Sequence, residues 1–160
     1  MGRVGEIMSE ISTNRKAFRD YHILDRVETG IELKGTEVKS IRAGKVNLSN
    51  AYARIENGEV FLYDLDIQPY DKASHEQHVA KRTRRLLLHR REIDKLFGLI
   101  AIKGNTLIAL KLYWKGHRVK VELGVGKGKV AHDKREDLKK RAVQREMDRA
   151  VSGFNKRRSR

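Results

Sequence analysis

A sustained alternation of apolar and polar positions begins at Tyr21. The run YHILDRVETGIEL, from Tyr21 to Leu33, is rich in β-branched and aromatic residues and predicts a long strand bent at Gly30. The period then changes. In GTEVKSIRAGK, Val38, Ile41 and Ala43 fall on one face of a short helix, and Gly44 follows as its stop. AYARIENGEVFLYDLDI places Asn57-Gly58 between two alternating runs, the pattern of a hairpin with a two-residue type I′ turn. Pro69 opens a polar stretch to His78 that reads as a surface loop. TRRLLLH predicts a short buried strand, and from Arg91 to Ile102 the residues Ile93, Leu96, Phe97 and Ile100 share one helical face. Lys103-Gly104-Asn105 breaks that helix. TLIALKLYW and HRVKVELGV then pair as a second hairpin around Lys115-Gly116, with Ile108, Leu110 and Leu112 on one face and Tyr113 and Trp114 reaching the surface beside the turn.

Six short strands with two inserted helices close into a barrel more readily than they stack as a sandwich, because closure removes exposed edges. The expected fold is therefore mainly β with short helices, a closed oligonucleotide-binding-type barrel. Residues 1–13 lack pattern and read as a flexible leader. The barrel spans 14–126. Residues 127–160 form a basic tail, disordered alone and helical on an anionic partner, in which Asp133 with Glu136 suggests a cap and Leu138, Ala142 and Met147 make a thin apolar stripe.

Charge sharpens the picture. The 160 residues carry a formal net charge of +15. Residues 127–160 hold 13 Lys and Arg against 5 Asp and Glu, a net +8, so more than half the excess sits in about a fifth of the chain. Such a surface seeks a polyanion. The longest apolar stretches, such as LFGLIAI, are too short to span a bilayer, and MGRVGEIMSEIST has no apolar core of a secretory signal. The absence of cysteine removes thiolate zinc sites and fits a cytoplasmic protein.

Candidate chemistry is sparse. In GVGKGKV, Gly128-Lys129 is followed by Val130 where a phosphate-binding loop needs Ser or Thr, so Gly124, Gly126 and Gly128 read as a strand end and flexible joint. HEQH, with His75 and His78, lacks metalloprotease spacing and reads as a solvated loop. No cofactor or metal is expected. A ribonuclease using His89 or His132 is one alternative, a structural ribosomal protein another. RNA binding has more support: KRTRRLLLHRR and the tail offer phosphate contacts, and Tyr21, Tyr52, Tyr63, Tyr113 and Trp114 are potential stacking surfaces.

In order, NRKA, Asp20-Tyr21, ETGIELKGTEVKSIRAGKVNL, the Asn57-Gly58 hairpin, TRRLLLHRREI, LYWK and GKGKVAHDKR closely resemble the small protein B (SmpB, or SsrA-binding) family of bacteria, from about Asn14 to Arg135. The resemblance implies a non-enzymatic, monomeric adaptor. Such an adaptor carries transfer-messenger RNA to ribosomes stalled on truncated messages, where the nascent chain is tagged. By position, it assigns contact with the tRNA-like elbow to Glu28, Leu87, His89 and Lys120, with Asn14 and Lys39 in matching motifs. His89 stands where other members carry Asn. The resemblance likewise assigns the decoding centre of the small subunit to Lys127, Gly128, Lys129, His132, Asp133, Lys134 and Arg135; an acid beside RNA is explained if Asp133 is a helix N-cap. Beyond Arg135 the likeness loosens, with Val143 and Ala150-Val151 replacing an aromatic and an Ile-Met pair.

Overall fold

The structure, a computed structural model, describes residues 8–70 and 77–158. Most of the expected leader, residues 1–7, and part of the expected loop, including His75, lie outside that range. In chain order the elements are β1 (Met8–Thr13), α1 (Arg15–Asp20), β2 (Tyr21–Ile31), α2 (Gly35–Arg42), β3 (Val46–Asn47), β4 (Tyr52–Glu56) and β5 (Glu59–Tyr63). There follow β6 (Asp66–Ile67), β7 (Arg84–Leu87), α3 (Arg90–Ile100), β8 (Asn105–Lys115), β9 (Arg118–Gly128) and α4 (Ala131–Arg158).

Strands β8, β4, β5, β7, β2 and β9 are hydrogen-bonded in that order, and β9 pairs back onto β8. Six strands thus close a ring, as the patterning predicts. Both hairpins form. Asn57 and Gly58 have φ of 51° and 75°, the left-handed pair that a type I′ turn requires. The second turn is centred on Gly116-His117, one residue later than expected, with Lys115 opposite Arg118.

Four elements escape the pattern. β1, expected as leader, pairs with the Lys111–Lys115 end of β8. Its composition, MSEIST, is too polar to announce a strand. α1 is nucleated by Asn14, whose Oδ1 accepts the Ala17 N–H at 3.0 Å while its Nδ2 donates to the Ala109 carbonyl at 2.9 Å. β3 and β6 form a separate two-stranded pair.

The ring is filled by residues such as Leu62, Leu65, Leu107, Leu112, Val121 and Leu123. A second, outer cluster joins Ala17 of α1 to Ile108 and Leu110. The expected single face for Ile108, Leu110 and Leu112 is therefore split: a bulge between Ala109 and Lys111 turns Leu112 into the ring while its two predecessors face outward under α1. Gly124 and Gly126 make this outer layer possible. A Cβ on either would lie 2.6 Å from Leu110 Cδ1 or 2.5 Å from Ile108 Cδ1. They are packing positions within β9, not a joint.

A buried ionic knot fastens α2 to the sheet. Glu37 and Arg84, both inaccessible to solvent, bond through Nε and Oε2 at 2.5 Å. Arg82 reaches Oε1 at 2.6 Å, and the Lys34 N–H donates to Oε1 at 2.8 Å. Arg84 also donates to the carbonyls of Leu65, Arg82 and Ala80. Burial raises the Glu37 carboxyl, but these donors outweigh it and hold it below its usual range. His78 is likewise buried, bridging Thr36 Oγ1 at 3.0 Å and the Ile67 carbonyl at 2.8 Å. The expectation of a solvated histidine is corrected: its partners are remote in sequence. Phe97, expected inside, is 62% exposed; Leu96 carries the buried face of α3.

The chain forms two compact units, residues 1–128 and 129–160, the boundary falling two residues after the expected one because β9 runs through Gly128. The second unit contains the helix α4.

Candidate nucleic-acid interface

At the end of the ring where β2, β7 and the β8–β9 turn meet the start of α3, an open cleft of about 850 Å³ is lined by Glu28, Gly30, Leu87, His89, Trp114 and Lys120, among others. The tetrapeptide Glu28-Thr29-Gly30-Ile31 explains how it is built. Thr29 points inward, and its hydroxyl donates to the Val121 carbonyl at 3.1 Å. Alternation therefore turns Glu28 outward. Gly30 faces Lys120 on β9 and Leu87 on β7, the point at which β2 passes from one neighbour to the other. A side chain there would press within 3.1 Å of Leu87 Cβ. Glycine thus brings Leu87, 46% exposed, and Lys120 together across one strand.

Glu28 is held on both oxygens. The Tyr113 hydroxyl donates to Oε2 at 2.6 Å, and the Lys115 ammonium to Oε1 at 3.1 Å. Burial raises its pKa, yet the Tyr113 and Lys115 hydrogen bonds and the Lys115 and Lys120 charges outweigh that and leave it lowered. The carboxylate is thus anionic at neutral pH. Burial and the bond to Glu28 push the Tyr113 hydroxyl well above its ordinary value, so it remains a donor. Tyr113, expected at the surface, is buried and serves as the strut of Glu28.

Trp114 is half-buried, with the Arg42 guanidinium 5.8 Å from its ring centroid. His89 is exposed at the N-terminus of α3, its backbone N–H fixed by Glu92 Oε1 at 3.2 Å. His117 and Arg118 also line the cleft and were not singled out from sequence. Alternation in Arg118, Lys120 and Glu122 was the available signal for Arg118.

Other expected residues lie elsewhere. Asn14 is buried, and its amide is occupied with the cap of α1 and the Ala109 carbonyl. Lys39 is exposed on α2, its ammonium 5.5 Å from the Tyr70 ring centroid. Of the basic zone Lys81 to Arg91, Arg84 is internal, Arg82 is bound to Glu37, and Arg85 is paired with Glu32 and Glu59. Tyr52 and Tyr63 stack on each other, centroids 5.4 Å apart.

In the second unit, α4 begins at Ala131 and the Lys134 N–H bonds the Val130 carbonyl at 3.2 Å. Asp133 is thus the third helical residue and not the cap; its charge still suits the N-terminal end of the helix. His132 lies in the same first turn. Lys129 is ion-paired with Asp137. Lys127 and Gly128 complete β9 in the first unit, whereas Lys129 and the residues from His132 to Arg135 belong to the second. Among the described residues no group of three or more His, Cys, Asp or Glu could hold a metal, and no helix is long and apolar enough to cross a membrane.

A closed ring of strands in a basic chain, with an open cleft that combines a fixed carboxylate, an imidazole, cations and a half-buried indole, defines a small β-protein suited to binding nucleic acid. The family model described as SmpB protein matches residues 11–153. The SsrA-binding protein of Carboxydothermus hydrogenoformans is 55% identical over 141 residues, which cover 88% of this chain and 95% of that protein. The SsrA-binding protein of Bacillus subtilis (strain 168) is 54% identical over 146 residues, covering 91% and 94%. A chain in the solved structure "tmRNA-SmpB: a journey to the center of the bacterial ribosome" is 48% identical, with a TM-score of 0.64, covering 84% of this chain and 94% of that one. The chain belongs to the SmpB family.

Proposed function

We propose that this protein binds the tRNA-like domain of transfer-messenger RNA through the cleft and delivers it to stalled ribosomes, where the nascent chain is tagged and the ribosome released. The observation that carries the reading is the convergence of Glu28, Leu87, His89 and Lys120. They come from three separated stretches of sequence and line one cleft. The names of the relatives and the ribosomal setting of the solved homologue support the same partners.

The chemistry of the cleft suits a folded RNA elbow better than a uniform duplex. An anionic Glu28 accepts hydrogen bonds from base or sugar donors, while Lys120 and Arg118 meet phosphates. Leu87 and Trp114 offer apolar faces to unstacked bases, and His89 adds a hydrogen-bonding group at their edge. The tail, from Lys127 and Gly128 through Lys129, His132, Asp133, Lys134 and Arg135, occupies the decoding centre and the empty messenger channel in place of a codon. On this reading the protein is a monomeric, cytoplasmic adaptor with no reaction of its own.

Equilibrium binding to labelled tRNA-like RNA tests the cleft. The wild-type chain binds specifically and leaves the RNA intact. Glu28→Ala binds roughly 1–3 kcal/mol more weakly, the scale of a polar contact to a charge, and Glu28→Gln loses less. Cleavage of the RNA, or a Glu28→Ala variant as tight as wild type at equal salt, contradicts the proposal.

A further inference from the structure

The outer face of the sheet continues beyond the cleft. β1, β8, β9 and β2 lie side by side, and their register puts Thr13, Lys111, Glu122 and Glu28 in one row. Residues paired in register point to the same face, so this row leads from the cleft edge at Glu28 to the first strand. Three interstrand steps make the distance roughly 14 Å. At its far end Glu10, Ser12, Thr13, Arg15 and Lys111 line an open recess of about 480 Å³.

The charges along the row are unevenly spent. Glu122 is paired with Arg26 at 3.3 Å, and Glu28 is held by Tyr113 and Lys115. Among the described residues, neither Arg15 nor Lys111 has an acidic partner at ion-pair distance. The Thr13 hydroxyl oxygen is shielded from solvent and has no hydrogen-bond partner among the described residues. Two cations without an acidic partner, lining one concavity, form a donor set suited to a phosphodiester, whereas the shielded Thr13 hydroxyl takes no part. Arg15 can engage both non-bridging oxygens, with Lys111 acting as a point charge beside them. Glu10 is the one opposing charge among the lining residues.

We propose that this recess is a second RNA subsite, taking the phosphate backbone of the same RNA a few nucleotides from where the cleft holds it. The inference rests on the reading that the cleft binds RNA, and extends that footprint across β9 to α1. The recess reads phosphate and not sequence, so its contribution is electrostatic and depends on salt.

The test is the salt dependence of binding to tRNA-like RNA, without ribosomes, for the full chain and for Arg15→Gln combined with Lys111→Gln. Removing two phosphate contacts lowers the slope of log K against log salt by about 1.4–1.8. The advantage of wild type over the double variant therefore shrinks roughly eightfold between about 50 and 200 mM salt. Backbone protections in a hydroxyl-radical footprint disappear at nucleotides that Glu28→Ala leaves protected. Glu10→Gln, which deletes the opposing charge, tightens binding severalfold, a gain that misfolding cannot produce. An unchanged slope and footprint in the double variant, with wild-type binding intact, overturn the subsite and leave the cleft standing. A defect confined to assays containing ribosomes overturns its assignment to this RNA. Absence of specific binding by the wild-type chain defeats the cleft reading, and the subsite with it.

Discussion

Replacing Tyr113 by Phe removes one hydroxyl from a buried ring and leaves the packing surface almost unchanged. That hydroxyl makes a 2.6 Å bond to Glu28 Oε2, in the range of a charge-assisted O–H donor to a carboxylate. Hydrogen bonds to charged groups contribute about 1.5–3 kcal/mol. The Glu28 side chain is 36% exposed, so water replaces part of the lost bond and the expected stability change falls to about 1 kcal/mol. The effect on RNA binding is positional: Glu28 keeps its Lys115 contact but loses the strut that fixes the carboxylate plane toward the cleft. Affinity for tRNA-like RNA falls three- to tenfold, about 0.7–1.4 kcal/mol. The salt slope stays constant, because no cation is removed. Binding titrations at several salt concentrations, with urea unfolding of the same samples, separate the two effects. The pH dependence has a definite sign. The folded-state pKa of Glu28 lies below its ordinary value of 4.5, so its contribution is complete above that value and is lost as pH falls through the lowered one. Between about pH 6 and 8, the Tyr113→Phe defect is therefore flat. If Tyr113→Phe binds like wild type while Glu28→Ala is impaired, Tyr113 does not position Glu28.

Other outcomes follow from the same geometry. Glu37→Ala strands the buried Arg84 guanidinium and destabilises the fold by about 3–5 kcal/mol in denaturant unfolding. Because the folded-state pKa of Glu37 is lowered, its contribution in wild type is present above the ordinary carboxylate value of 4.5 and is lost as pH falls through the lowered one, which acid unfolding can follow. Gly126→Ala places a methyl 2.5 Å from Ile108 Cδ1 and costs about 1–3 kcal/mol by overpacking, with RNA affinity unchanged in the folded fraction. Deleting residues 129–160 leaves a cooperative unfolding transition and specific RNA binding, because the cleft lies wholly in the first unit.

What could be read from the chain divides along physical lines. Local signals were legible: the Asn57-Gly58 turn needs two left-handed residues, and the alternation from Tyr21 to Leu33 marks a strand whatever its neighbours. Closure of the ring followed from the number of short strands. Signals that depend on remote partners were not legible. Arg84 looks like a phosphate ligand until Glu37, 47 residues earlier, is seen to hold it. His78 looks solvated until Thr36 and Ile67 are placed around it. The outward packing of Ile108 and Leu110 required a bulge, and Gly124 and Gly126 read as a hinge because the layer they accommodate comes from α1 and β8. The family resemblance named Glu28, Leu87, His89 and Lys120 as a set. Tyr113 as the strut, and Gly30 as the point that brings Leu87 to Lys120, emerged only from the register of the sheet.

The central claim is that one end of this protein holds transfer-messenger RNA while the tail satisfies the decoding centre. The direct measurement is tagging of a nascent chain on ribosomes stalled at the end of a truncated message, reconstituted with transfer-messenger RNA and purified protein. The wild-type chain supports tagging. A variant with His132, Lys134 and Arg135 replaced together by Ala binds the RNA almost normally, since the cleft and the remaining cations are intact, yet fails to tag. A control with Arg157, Arg158 and Arg160 replaced by Ala is milder. Tagging that proceeds equally without the protein contradicts the account outright, and equal defects in the two triple variants show that the tail supplies only diffuse positive charge.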